Sequence, residues 1–289
     1  MPLTSSPLEA DARTTFLMAL RERGVMEIIV CIKRVPETAE ADLVIDKTER
    51  DIEKEGLVFD INEWDNYAVE EAILLKEKYG GTVTAISMGP EEVNEILRKA
   101  LAMGADQAIR LTDPGFEGSD GYAIARVLSR AINPLAYDLV LTGVQAEDDG
   151  YGQVGPTLAE LLGIRHVAIV NQIEGIENGR ARVHRELEGG LDEVIDLELP
   201  AVLTIQTGIN EPRYVSIMGI RKVAQKETKV LGLQDLGMKL EEAGEPGSMT
   251  VVEKVFFPPV GKGAQILEGT IDEISDKVIT ILKEKGGVA

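Results

Sequence analysis

The stretch "LTGVQAEDDGYGQVGPTLAELLG" (141–163) holds the residues whose types and spacing most suggest chemistry. Within it Gly150, Gly152 and Gly155 spell G-x-G-x-x-G, the pattern with which a dinucleotide fold brings backbone against pyrophosphate. That geometry needs the glycines in the tight turn directly after a strand. Here the seven residues from Gly143 to Asp149 intervene. The reading that survives is a long glycine-rich loop followed by a helix opening near Gly155, whose free N–H groups and dipole suit a phosphate. The run Glu147-Asp148-Asp149 would repel phosphate, so these carboxylates are expected to cap a helix, meet ribose hydroxyls or face water.

Other chemistry is sparse. The chain has no G-x-S-x-G, no G-x-x-x-x-G-K-[ST] and no H-E-x-x-H. His166 and His184 are the only histidines, and His184, beside Arg185 and Glu186 in a strand-like alternation, reads as structural. Cys31 is the only cysteine, which excludes a disulfide framework and a thiolate metal cluster and fits a reducing compartment. A net charge of −20, from 50 acidic against 30 basic residues, argues against a nucleic-acid binder. No run of 18 apolar residues exists, so no membrane span is expected. The expected location is cytoplasmic.

These residues need a scaffold, and 289 residues with 44% apolar content can bury one. From Met26, a candidate functional start, strand-like and helix-like periods alternate. "EIIVCI" (27–32) reads as a buried strand, 62–81 as a helix stopped by Gly80-Gly81, 82–87 as a strand, and the segment from Pro90 to Met103 as a helix. A strand at 107–111, a helix near 121–132 and a strand at 137–143 follow. The alternation predicts an α/β fold with a mostly parallel, doubly wound sheet built from right-handed crossovers. Residues 180–206 read as strands around the Gly189-Gly190 turn, an antiparallel section closing the sheet, and 208–250 read as loop. The domain reading is an N-terminal extension (1–25), a nucleotide-binding α/β domain (26–230) and a C-terminal arm (231–289). The extension is a short helix, a tag or a misassigned start. The arm holds a linker at 256–265 and a helix at 270–285 with Ile271, Ile274, Val278 and Ile281 on one stripe, set to pack on the home core or on another subunit.

In an open parallel sheet, ligands settle beyond the carboxyl ends of strands. Three segments are expected there: "CIKRVPE" (31–37), "SMGP" (87–90) and the loop 143–155.

The ordered set "VCIKRVPET" (30–38), "VEEAILLKEKYG" (69–80), "ISMGP" (86–90), "ALAMGAD" (100–106), "GVQAEDDGYGQVG" (143–155), "HRELEGGLDEVIDLELPAVLT" (184–204) and "NEPRY" (210–214) resembles the beta subunit of electron transfer flavoproteins over roughly residues 26–230. The resemblance implies an adenine nucleotide alpha-hydrolase-like fold and a heterodimer with an alpha subunit. It further implies an FAD shared with that subunit and a shuttle of electrons between flavin dehydrogenases and an acceptor, without catalytic residues of the chain's own. In one branch of the family the beta subunit holds AMP; in the electron-bifurcating branch it holds a second FAD. The family's nucleotide contacts fall on Cys31 through its backbone, on Asn62, Glu63, Trp64 and Asp65, on Met88, and on the loop positions Gly143, Gln145, Asp148, Gly150, Gly152, Gln153, Val154, Gly155 and Thr157. "NEWD" (62–65) lacks the proline that often follows the asparagine in the family. "FEGSDGYAIAR" (116–126) partly resembles the bifurcating branch, whose acidic–threonine pair becomes Asp120-Gly121 here, so AMP and a second FAD both stay open.

The segment 210–229 carries Arg213, Arg221, Lys222, Lys226 and Lys229, a basic island on an acidic chain. By resemblance it docks the partner dehydrogenase, with Ile217 as apolar anchor and Arg221 and Lys222 beside it. Two other classes compete: an NAD-dependent oxidoreductase built on the literal fingerprint, and an adenine-nucleotide-binding regulatory protein.

Overall fold

The computed structural model describes residues 25–223, 225–259, 261 and 263–286. The expectation of a short leader helix falls outside the described residues. The chain divides into two compact units: one comprises the chain up to Val44 together with Glu53–Val252, the other Ile45–Ile52 together with the chain from Glu253.

The larger unit begins with β1 (Met26–Cys31), the short β2 (Arg34–Pro36) and β3 (Phe59–Ile61), then α1 (Glu63–Tyr79) and β4 (Gly81–Met88). A 3-10 turn leads into α2 (Asn94–Met103), followed by β5 (Gln107–Leu111), α3 (Gly121–Ile132), β6 (Leu139–Gly143) and α4 (Val154–Leu162). Then come β7 (Arg165–Glu177), β8 (Arg180–Leu187), β9 (Leu191–Glu198), β10 (Ala201–Ile205), α5 (Ile217–Val223), β11 (Thr228–Leu231) and α6 (Gly244–Gly247). Among the described residues the main sheet has nine strands in the order β11-β5-β4-β1-β6-β10-β7-β8-β9.

The central parallel strands β1 and β6 are largely apolar and buried along their length because both faces are covered. In β1, Ile28 and Val30 face the α1 and α2 layer while Ile29 and Cys31 face the α3 and α4 layer. The chain winds outward from β1 to β4 and β5, then returns to place β6 on the other side of β1. This reversal opens a crevice at the carboxyl ends of β1 and β6, the switch point of a doubly wound sheet.

Three departures from the sequence reading have physical causes. β10 does not belong to an antiparallel section: it lies parallel to both β6 and β7, every residue buried, as its largely apolar run AVLTI suits. The antiparallel section is β7, β8 and β9, and β7 went unread because its half-exposed residues mix polar and apolar types without a clean period. The segment 208–250 is not only loop, since it supplies α5, α6 and the sheet-edge strand β11. The larger unit also runs past residue 230 to Val252, because Leu233, Leu236, Met238 and Ala243 pack onto the α3 side of the core.

In the smaller unit, Ile45 and Ile52 form an isolated bridge and Val255 N–H donates to Glu49 O at 2.7 Å. The described residues of 256–265 carry no helix or strand. α7 (Ile271–Glu284) starts at a capping box of Thr270 and Glu273, as its Thr-x-x-Glu spelling suits. None of its residues is buried, and Ile271 is 84% exposed. No helix among the described residues is long and apolar enough to cross a membrane.

Candidate functional site at the carboxyl rim of the sheet

Parallel strands end with amides that the ladder no longer uses, and Asp65 in the first turn of α1 collects two of them. Lys33 N–H donates to Asp65 Oδ2 at 2.7 Å and Gly143 N–H to Asp65 Oδ1 at 2.8 Å, so one buried carboxylate ties the exits of β1 and β6 to α1. Gly143 permits this approach: a Cβ there would lie 2.6 Å from both Asp65 Oδ1 and Trp64 Cβ. Burial pushes the Asp65 carboxyl up to about 7, against the opposing pull of the Lys33 and Gly143 amides, the Asn62 side chain and the Lys33 charge. Burial, and then the neighbouring Asp65, also pushes the Cys31 thiol far up, so it stays neutral and unreactive.

Asn62, 1% exposed, reads the glycine loop from across the crevice. Its Nδ2 donates to Gln145 O at 2.8 Å, and its Oδ1 accepts from Glu147 N–H at 3.0 Å. The acidic run is neutralised piece by piece. Glu147 Oε1 accepts from Glu63 N–H at 3.0 Å, at the positive end of α1, and Lys33 Nζ reaches Asp148 at 2.6 Å and Asp149 at 2.9 Å. Those two carboxylates hold the Lys33 pKa above its usual value although desolvation, the largest single influence, works against them. The chain then turns through Gly152, at φ +60°, into α4. Gly155 packs where a Cβ would lie 2.4 Å from Thr204 Cγ2, which seats the start of α4 on β10. The glycines of G-x-G-x-x-G thus serve a turn and a helix seat, and the dinucleotide geometry of their spelling is not formed.

A cavity opens between these parts. Its apolar wall is Ile86, Met88, Ile124, Leu128 and Val154. Its polar rim includes Lys33, the 143–146 backbone and the opening of α4, where first-turn amides lack intrahelical partners and Pro156 has no N–H to offer. Of the positions singled out in the sequence, the structure brings Cys31, Asn62, Asp65, Met88, Gly143, Gln145, Gly152, Gln153, Val154 and Gly155 to this cavity. The others stand around it. Glu63 offers its amide to Glu147, Trp64 Nε1 donates to Gln206 Oε1 at 2.9 Å, Asp148 holds Lys33, Gly150 N–H closes a turn onto Ala146 O, and Thr157 N–H is taken by Gln153 O. Asp120 caps α3 through Ala123 N–H and also accepts from Met249 N–H, Thr250 N–H and Thr250 Oγ1. Desolvation raises the Asp120 pKa, but these hydrogen bonds outweigh it and hold the carboxyl below its usual range. Sequence reasoning missed Lys33, Ile124 and Leu128. The signal for Lys33 was a cation at a strand exit facing an acidic loop; the two aliphatics look like ordinary core of α3.

The segment after residue 209 is held from below and exposed above. Ile209, Val215 and Val223 pack on the core, whereas Tyr214 is 90%, Ile217 70% and Met218 62% exposed. Arg221 and Lys222 are exposed in the last turn of α5. Arg213 does not join a solvated basic island: its guanidinium grips Glu70 and Glu77 on α1. His184 pairs with Glu174 at 2.5 Å between β7 and β8, away from the cavity lining.

A model of the electron transfer flavoprotein domain matches residues 51–236. An electron transfer flavoprotein subunit beta of Methylophilus methylotrophus is 38% identical over 265 residues, 91% of this chain and 100% of the relative. That of Thermoanaerobacterium thermosaccharolyticum is 42% identical over 261 residues, covering 90% and 99%. The caffeyl-CoA reductase-Etf complex subunit CarD of Acetobacterium woodii is 38% identical over 263 residues, again covering 90% and 99%. A match over most of both partners, with the sheet and rim that the shared motifs build, leads to one conclusion: the chain belongs to the electron transfer flavoprotein family as a beta-type subunit.

Proposed function

We propose that the chain forms a heterodimer with an electron transfer flavoprotein alpha subunit, holds an adenine nucleotide in the rim cavity, and carries electrons without catalysing a reaction of its own. The observation that carries the nucleotide assignment is the convergence, in one cavity, of an apolar wall and the amide-bearing start of α4. The wall from Ile86 to Val154 suits the flat apolar face of a base, and the amides from Gly152 to Gly155 suit its phosphate. Lys33 compensates the acidic residues that would otherwise repel that phosphate. AMP and the adenylate half of a second FAD present the same group to these amides. Flavin, where bound, supplies the electron chemistry of the complex.

The exposed face of α5 is assigned to docking a flavin dehydrogenase. Ile217 and Met218 offer apolar anchors and Arg221 and Lys222 a cationic flank. A cytoplasmic location agrees with a single buried thiol.

Coexpression with the cognate alpha subunit tests the reading. The purified pair is expected to be yellow and to pass electrons from a reduced flavin dehydrogenase to an acceptor. A colourless heterodimer, or one that accepts no electrons, contradicts it.

A further inference from the structure

Arg213 stands at the root of the α5 segment, and its contacts go beyond those of a surface cation. Its Nε donates to Glu70 Oε1 at 3.1 Å and Oε2 at 2.9 Å, its Nη2 to Glu70 Oε1 at 2.9 Å, and its own N–H to Glu70 Oε2 at 3.1 Å. Nη1 donates to Glu77 Oε1 at 2.9 Å and to Met103 O at 3.4 Å, the last carbonyl of α2. The Glu70 residue is 3% exposed, so this is an ion pair with one partner in the interior, where removing either charge strands the other. Hydrogen bonds to Glu70 and then Glu77 raise the Arg213 pKa further, keeping it charged at any working pH.

The same face of α1 holds the turn one step earlier. Asn210 Nδ2 donates to Tyr67 O at 3.1 Å and to Glu71 Oε2 at 2.9 Å. Two residues three apart are therefore bolted to one helix, and α5 begins four residues after the second bolt. The N-terminus of that helix carries Asn62 and Asp65, which clasp the cavity loop. α1 is thus a continuous strut from the cavity to the base of α5.

We propose that Glu70, acting through Arg213, is a positioning residue for the partner-facing helix: it fixes where Ile217 and Met218 stand relative to the cavity. This rests on the reading that α5 docks a flavin dehydrogenase. Glu70 touches neither partner nor nucleotide. Its effect comes from pre-ordering a segment that would otherwise lose conformational freedom on docking, a cost that appears in affinity rather than in turnover.

The test uses the heterodimer and the flavin dehydrogenase that reduces it in extracts of its own cells, with dithionite as a reductant that needs no docking. Glu70→Gln keeps the size of the side chain and removes its charge. We expect the KM for the dehydrogenase to rise by about tenfold, as for the loss of a charge-assisted buried pair spread over a docking step. The kcat, the dithionite reduction and the bound flavin should stay at the parent level. Amide exchange should quicken in 214–223 and not in 143–155. If Glu70→Gln is isolated without flavin, Arg213→Lys, which keeps the charge and loses the fork, carries the same expectation. Ile217→Ala separates the two ideas. If it raises KM and Glu70→Gln (or Arg213→Lys) does not, the inference falls and the docking reading stands. Should Ile217→Ala leave KM unchanged, both fall. A double variant no worse than Ile217→Ala alone supports the inference, because a displaced anchor and a missing one are the same loss.

Discussion

Replacing Asn62 by aspartate changes one NH2 group for one oxygen with almost no change of shape, which removes the donor that holds the cavity loop and that also favours the Asp65 carboxylate. In the parent, Asn62 Nδ2 donates to Gln145 O at 2.8 Å while Oδ1 accepts from Glu147 N–H. The aspartate keeps the second bond and turns the first into oxygen facing oxygen. Losing the bond costs about 1 kcal/mol, and a buried acceptor left against another acceptor adds about 1–3 kcal/mol, so the loop is loosened by about 2–4 kcal/mol. The new carboxyl is buried beside Asp65, which raises its folded pKa. The folded protein then binds more protons than the unfolded chain, so the deficit deepens as pH rises and shrinks in acid, where a protonated carboxyl can again donate to Gln145 O. Amide exchange over 143–155 in the purified heterodimer, read at pH 8 and pH 5 after correction for intrinsic rates, reports the loosening, and released adenine reports its consequence. Parent-like protection at pH 8 with undiminished adenine would refute the assignment of Asn62 as the loop's clasp.

Gly155→Ala places a methyl 2.4 Å from Thr204 Cγ2 and 2.8 Å from Thr142 Oγ1, and such overpacking should cost about 1–3 kcal/mol; an unchanged melting temperature would show that α4 is not seated as described. Asp65 carries a folded pKa of about 7 against an unfolded value near 4, so its contribution to stability is full below pH ~4 and is lost as pH rises towards 7. Asp65→Asn should flatten the stability profile in that window in urea titrations, and an identical slope would contradict the burial of the charge. Lys33→Met removes a half-exposed pair, which is worth less than about 1 kcal/mol in stability, yet it leaves Asp148 and Asp149 uncompensated at the cavity. Adenine retention should fall most at low salt, and retention equal to the parent's would remove Lys33 from the site.

What the sequence disclosed and what it hid differ by range. The exits of β1, β4 and β6 were legible because a buried parallel strand announces itself over five or six consecutive residues, and a sheet's ligand rim follows from strand direction alone. The long separation between the strand before it and the literal glycine fingerprint, Gly143 to Asp149, could be judged from spacing. The place of β10 could not, since its neighbours β6 and β7 are chosen by packing across the sheet rather than by adjacency in the chain. Arg213 is the sharpest case. Counted with its neighbours it belongs to a basic stretch, and only the fold reveals that Glu70, 143 residues away, takes it out of the surface set. Asp120 teaches the same lesson, as its acceptors are filled by the helix it caps and by residues 249–250, far along the chain. Ile124 and Leu128 were invisible as cavity wall because an apolar face of a helix looks alike whether it meets a sheet or a base.

On the proposed reading, the amides at the sheet rim hold an adenylate of their own, apart from the flavin proposed to be shared with the alpha subunit. Acid extraction of the gently isolated heterodimer, followed by separate quantification of adenine and isoalloxazine, measures this directly. The account predicts a second adenine moiety beyond that of the shared flavin, accompanied by one isoalloxazine if the rim holds AMP and by two if it holds FAD. A yellow, electron-accepting heterodimer that releases only the adenine of a single flavin would contradict it.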